Sequence, residues 1–166
     1  GWGYGQYQLS TKTPWHPFIQ LSVGAKYIMA LDEQATASVF IQTQTQVGTP
    51  RQAGAVAAAA GACIDVAGGA SMAHFLKLDG TLVNITTDPR APKPPGSISR
   101  LATVSGAYDR FAATDTDGNI IIWGRKTGIT SAYGFERKTD GGQYWFRGGN
   151  YLKVVCGESH YVAIKR

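Results

Sequence analysis

The three histidines of this chain, His16, His74 and His160, are its first candidates for proton transfer or metal ligation. No His-x-x-x-His spacing and no Cys/His cluster accompanies them, so the spacing predicts no metal site. Cys63 and Cys156 each lie in or beside an apolar strand pattern and read as buried small hydrophobes rather than activated thiols. Two cysteines make neither a disulfide scaffold nor a zinc site, and whether these two pair is left open. Asp115-Thr116-Asp117-Gly118 begins like a calcium loop, but the further ligands and the distal Glu are missing, so it reads as a hairpin. The glycines between Gly61 and Gly69 do not open a helix behind a phosphate-binding turn, and no Gly-x-Ser-x-Gly elbow occurs. Of the 11 acidic residues, Asp79, Asp115, Asp117 and Asp140 sit at or near turns. A paired acid–base site would therefore need long-range contacts. The expectation is a protein with no catalytic residue, no cofactor and no metal: not an enzyme.

The stretch Arg125 to Asn150 is more informative. It interleaves Arg125, Lys126, Arg137, Lys138 and Arg147 with Tyr133, Phe135, Tyr144, Trp145 and Phe146. Aromatic and arginine side chains are what interface centres favour, and single-stranded nucleic acids and glycans use the same pairing of stacking and charge. Gln143-Tyr144-Trp145-Phe146-Arg147 also reads as a strand whose aromatics fill the core. Both hold together if alternate residues face opposite sides. The partner-binding candidates are Arg125, Lys126, Tyr133, Phe135, Arg137, Lys138, Tyr144, Trp145 and Arg147.

What must position these residues is a weakly charged, small-residue chain. Only 16% of the 166 residues are charged, against about 25% in an average soluble domain. Glycine numbers 21, and glycine with alanine makes about a quarter of the chain. Eight tyrosines and four tryptophans supply the bulk of a packed core. The length suits one domain, residues 1–166. The net charge of +5 permits an acidic partner without demanding one. No apolar run is long enough to span a membrane, and Gly1-Trp2-Gly3-Tyr4 does not read as a signal peptide. Localisation is left open between a virion and the cytoplasm.

A repeat runs through the chain at about residues 17–41, 64–85, 101–124 and 152–166. Each unit is an apolar strand, a Gly, a few mixed residues and a second apolar strand. Gly24, Gly68, Gly106 and Gly157 are taken as one recurring position, separated by steps of 44, 38 and 51. Ala30, Ala73, Ala112 and Ala163 are taken as another. Asp79-Gly80 and Asp117-Gly118-Asn119 predict tight two-residue hairpin turns. The first unit has no Gly between Asp32 and Ala37. Between units lie Gln42 to Ala62, with its run Ala55 to Ala60, and the proline-stiffened Thr86 to Arg100.

The order apolar strand, Gly, His or Tyr, apolar strand, Asp-Gly, apolar strand, Trp-Gly resembles the repeat of the regulator of chromosome condensation (RCC) family. Leu101 to Gly124 matches best; the second unit has Asn84-Ile85 where Trp-Gly is usual. The resemblance implies an all-β fold, a small β-propeller. The spacing gives about four blades, fewer than the family's usual seven. Gly1 to Leu9 resembles the stretch that follows a blade's last strand, so residues 1–9 are expected to close the ring by pairing with the C-terminal blade. The alternative is a ring completed by other subunits. The resemblance also implies that His160 and His74 pack between blades.

The expected function is a binding or assembly module, foremost a structural or attachment component of a larger assembly such as a bacteriophage particle. The alternatives are a regulatory propeller with a GTPase or chromatin partner, and a glycan-binding lectin using Tyr144 and Trp145. Expected partners are other proteins, including copies of itself or particle subunits; nucleic acid or glycan is left open but not indicated.

Overall fold

Short β-branched and aromatic runs divided by turn residues favour antiparallel strands. The computed structural model describes residues 18–24, 27–41, 61–86, 88–125 and 127–166. Among these residues thirteen strands form four antiparallel sheets in chain order. The first sheet is β1 (Phe18–Val23), β2 (Tyr27–Asp32) and β3 (Ala37–Ile41). The second is β4 (Cys63–Gly68), β5 (Met72–Lys77) and β6 (Leu82–Thr86). The third is β7 (Leu101–Ala107), β8 (Arg110–Asp115) and β9 (Ile120–Gly124), extended beyond β9 by β11 (Tyr144–Arg147) and β10 (Glu136–Lys138). The fourth is β12 (Tyr151–Cys156) and β13 (Tyr161–Lys165). The stretch 125–150 thus contributes two strands, one of them at the strand read from Gln143 to Arg147, because Trp145 and Phe146 pair with Ile122 and Ile121 of β9.

The four leading hairpins share one register. Phe18, Cys63, Leu101 and Tyr151 start the first strands opposite Asp32, Lys77, Asp115 and Lys165, and the next residue of each is bulged out. This register corrects the anchors read from spacing. Gly68 and Gly106 pair with Ala73 and Phe111, the place that Val23 and Cys156 hold in the other sheets. Gly24 and Gly157 fall one residue later, level with Gly69. Close approach explains the later position: a Cβ on Gly24 would run into the carbonyl of Gly69, and one on Gly69 into the carbonyl of Tyr108. Ala30, Ala113 and Ala163 are equivalent, with Phe75 standing in the second sheet, while Ala73 and Ala112 sit elsewhere. Ile85-Thr86, not Asn84-Ile85, lies level with Trp123-Gly124.

The outer turns carry three residues rather than two. Lys77 N–H bonds Thr81 carbonyl at 2.9 Å while Gly80 N–H returns to Lys77 at 3.0 Å. The third turn residue is left-handed in each case: Ala35 (φ 61), Gly80 (φ 81) and Gly118 (φ 82). Its carbonyl accepts from the start of the next sheet, Cys63, Leu101 or Tyr151, at 2.9–3.0 Å. One turn geometry therefore stitches each sheet to its successor.

Three cores lie at the three sheet interfaces. Met29, Leu31 and Val39 meet Cys63, Val66 and Phe75. Ala67, Met72 and Leu76 meet Val104, Phe111, Trp123 and Tyr144. Ala112, Ile120 and Ile122 meet Val154 and Cys156. Side-chain stitches repeat as well: Ser22 Oγ accepts from Gly68 N–H at 2.9 Å, and the equivalent Ser105 Oγ from Cys156 N–H at 3.0 Å. Among the described residues the sheets form no closed ring. The expected closing strand at 1–9, the segment 42–60 and its run Ala55 to Ala60 lie outside those residues.

Candidate functional site

The turn between β7 and β8 has only two central residues, Tyr108 and Asp109, because Ala107 pairs with Arg110. Such a turn needs positive φ at its first central position. Tyr108 supplies it at φ 58, an unusual conformation for a bulky side chain. Its carbonyl is held by the N–H of Ala70, and the residue stays 58% exposed.

Asp109 anchors the surroundings. Its carboxylate accepts from Ser71 Oγ at 2.5 Å and faces the Arg125 guanidinium at 3.6 Å. Arg125 also reaches Asp88 at 3.5 Å and the carbonyl of Arg90, while its own N–H bonds the Asp109 carbonyl at 2.9 Å. Thr86 Oγ1 donates to the carbonyls of Ser71 and Asp88 at 2.9 and 2.7 Å. Arg110 donates to the carbonyl of Glu158 on the fourth sheet. Turns of three sheets thus meet around Asp109 and its neighbour Arg110. With Arg125 about half exposed, such ion pairs contribute at most about 1 kcal/mol, so they orient groups more than they stabilise the fold.

The candidates read from spacing divide into separate groups. Arg125 belongs to the Asp109 cluster, and Lys126 lies outside the described residues. Phe135 is buried against the third core, with the Arg147 guanidinium 5.7 Å from its ring centre. Arg147 also donates to the carbonyl of the exposed Tyr133 at 2.8 Å. Lys138 pairs with Glu136 at 2.8 Å and sits 5.8 Å from the centre of the Phe146 ring. That contact raises the lysine's pKa and lowers the carboxylate's. Arg137 is exposed opposite Trp145. Tyr144 is buried with its hydroxyl 3.2 Å from both Asp140 oxygens, so its ring presents no free face to a sugar. Trp145 lies on the opposite face, half-buried, beside a shallow pocket of about 270 Å³ shared with Thr127, Gly128 and Ile129. Alternate aromatics of β11 therefore serve two different cores.

Burial favours the neutral forms of His74, Cys156 and Tyr161. Burial pushes His74 down to about 4, against a hydrogen bond of 2.8 Å from Nδ1 to Asn84 Oδ1. Burial pushes the Cys156 thiol up to about 11 and raises Tyr161, whose hydroxyl donates to the Thr127 carbonyl at 3.1 Å. Both cysteines are free and buried. Among the described residues, no three His, Cys, Asp or Glu side chains stand together as a metal set. His160, expected between sheets, is exposed, because the sheet that carries it is the last described. It lies level with Met72, two residues from the position of His74.

No protein-family model and no curated protein matches the sequence. Solved structures do. Human WBSCR16 superposes with a TM-score of 0.64 at 18% identity, over 90% of this chain and 44% of that one. Yeast RCC1 (Prp20) superposes in two structures, with TM-scores of 0.56 and 0.55 at 15% and 16% identity. These cover 93% and 94% of this chain and 43% and 45% of those. The fold is that of the RCC1-like β-propellers. The chain spans less than half the length of the propellers it matches.

On this RCC1-like scaffold the residues that spacing missed are Tyr108, Asp109 and Arg110. The available signal was two residues between apolar strands, a hairpin pattern. Tyrosine at its first position hid it, since Asn, Asp or Gly usually stand there.

Proposed function

We propose that this chain is a non-enzymatic protein-interaction propeller that binds a protein partner through the end bearing Tyr108, Arg110 and Arg125. The observation that carries this is Tyr108, an exposed aromatic kept in a left-handed backbone with its carbonyl pinned. Strained, over-determined residues cluster where recognition happens, and a rigid Tyr flanked by Arg is the composition of an interface hot spot. The fold supports a protein partner. Yeast RCC1 is bound to Kap60 in one solved structure, and Prp20p is described by its binding to Gsp1p and histones in another. The chain's charge of +5 permits an acidic partner surface. A second reading, a structural or attachment component of a larger assembly, draws on the apolar faces left uncovered on the first and fourth sheets.

The test is to purify the native protein with whatever accompanies it, beside Tyr108→Ala and Arg110→Glu variants whose fold is checked by circular dichroism. The expected result is a partner held by the native protein and lost from both variants. Retention of the same partner by both folded variants overturns the proposal.

A further inference from the structure

The shared register shows what each sheet surface is built to touch. In the second, third and fourth sheets, the fourth residue of the first strand is Val66, Val104 and Val154, buried on the preceding sheet to 1%, 3% and 1% exposure. Leu21 holds that place in the first sheet and is 64% exposed; Val23, on the same face, is 68% exposed. The mirror situation holds at the other end. Met29, His74 and Ala112, each covered by the sheet that follows, are all 0% exposed, whereas the equivalent Val162 is 58% exposed. Ile164 is 55% exposed where Leu31, Leu76 and Thr114 are buried. The first sheet thus presents a face patterned to sit on a preceding sheet, and the fourth a face patterned to receive a following one. Among the described residues no strand of the fourth sheet packs on the first as successive sheets do.

We infer that a second copy of this chain supplies both missing neighbours, head to tail: the fourth sheet of each copy receives the first sheet of the other. One observation selects this occupant: the two faces complete each other in the repeat's own register, so one copy's Val162 and Ile164 meet the other's Leu21 and Val23 in the manner of the internal joints. Unlike patches joined head to tail close into a ring when the rotation returns on itself; here that gives a pair with two identical joints. The joint lacks the internal hydrogen-bond stitches, because Lys153 and Val155 stand where Asp65 and Ser22 or Ser105 make them, and its apolar contacts are those of Val162 and Ile164 with Leu21 and Val23. It is separate from the Tyr108 end.

The mass of the full chain is measured by sedimentation equilibrium over a dilution series, for the native sequence, Leu21→Glu, Val162→Glu and an equimolar mixture of the two variants. Both substituted side chains are already exposed within one copy, so neither disturbs its fold. The native chain is expected to be a pair. Each variant alone spoils both joints and is expected to raise the dissociation constant at least about 10-fold. The mixture regains pairs, since one of its two joints then has both native faces. A native chain that stays single at every concentration overturns the inference and leaves the chain's own residues 1–17 or another protein as the cover. Two variants that pair like the native chain, or a mixture that remains single, overturn it equally.

Discussion

Ala35 occupies a left-handed position that the next two hairpins give to glycine, since its carbonyl must point at the Cys63 N–H 3.0 Å away. A Cβ in that conformation costs roughly 1–2 kcal/mol. Ala35→Gly is therefore expected to raise stability by up to about 1 kcal/mol, part of the gain being lost to a more flexible unfolded chain. Gly80→Ala should lower it by more, because the added Cβ would also meet Arg100 Cα at 2.6 Å. Urea midpoints of both variants check the pair. The missing glycine was visible in the sequence; that the backbone keeps its left-handed turn without one was not, because the demand comes from the neighbouring sheet. His74 makes a second case. Its pKa is about 4 in the folded protein against an ordinary 6.5, so the unfolded chain binds the proton more readily between those values. Stability is then full above pH 6.5 and is lost as pH falls toward 4, by about 3 kcal/mol at most. His74→Met, which copies Met29 at the same place in the first sheet, should flatten stability over that window. Denaturation at pH 7 and pH 4.5 measures the difference.

At the scale of the element, the strands and their order were legible, because β-branched runs and Asp-Gly turns punctuate them locally. The joints between sheets were not, since they depend on which residues meet across dozens of positions. Asp65 shows why. In the sequence it is one acidic residue in an apolar strand. In the fold its carboxylate is buried and accepts from Val104 N–H at 2.8 Å, from Val66 N–H at 2.9 Å and from the Gln20 amide, joining three sheets. Removing it leaves buried donors without an acceptor, each costing about 1–3 kcal/mol. Asp65→Ala is expected to destabilise by about 3 kcal/mol overall, read from urea unfolding. β11 carries the same lesson: its aromatic spacing predicted either a core strand or a contact surface, and only pairing with β9 assigns Tyr144 and Trp145 to cores on opposite sides.

For the whole molecule, repetition explains why the sequence left ring closure open between residues 1–9 and other subunits. β1 and β12 have the composition of the internal first strands, so nothing local distinguishes a covered face from an open one. The difference is a matter of neighbours, and in the proposed pair a second copy supplies them at both ends. Pairing has a thermodynamic signature independent of any measurement of size. If only the folded pair makes the joints, mass action couples unfolding to concentration, and a tenfold rise stabilises the pair by about 1.4 kcal/mol. Shared between two chains of this length, that raises the melting temperature by about 2 °C per tenfold change. The native chain should show this slope in calorimetry. Leu21→Glu should melt below the native chain at each concentration, and without the slope wherever its copies are single. A flat native profile would mean that the chain does not pair with itself, and the slope would then be absent from every variant as well.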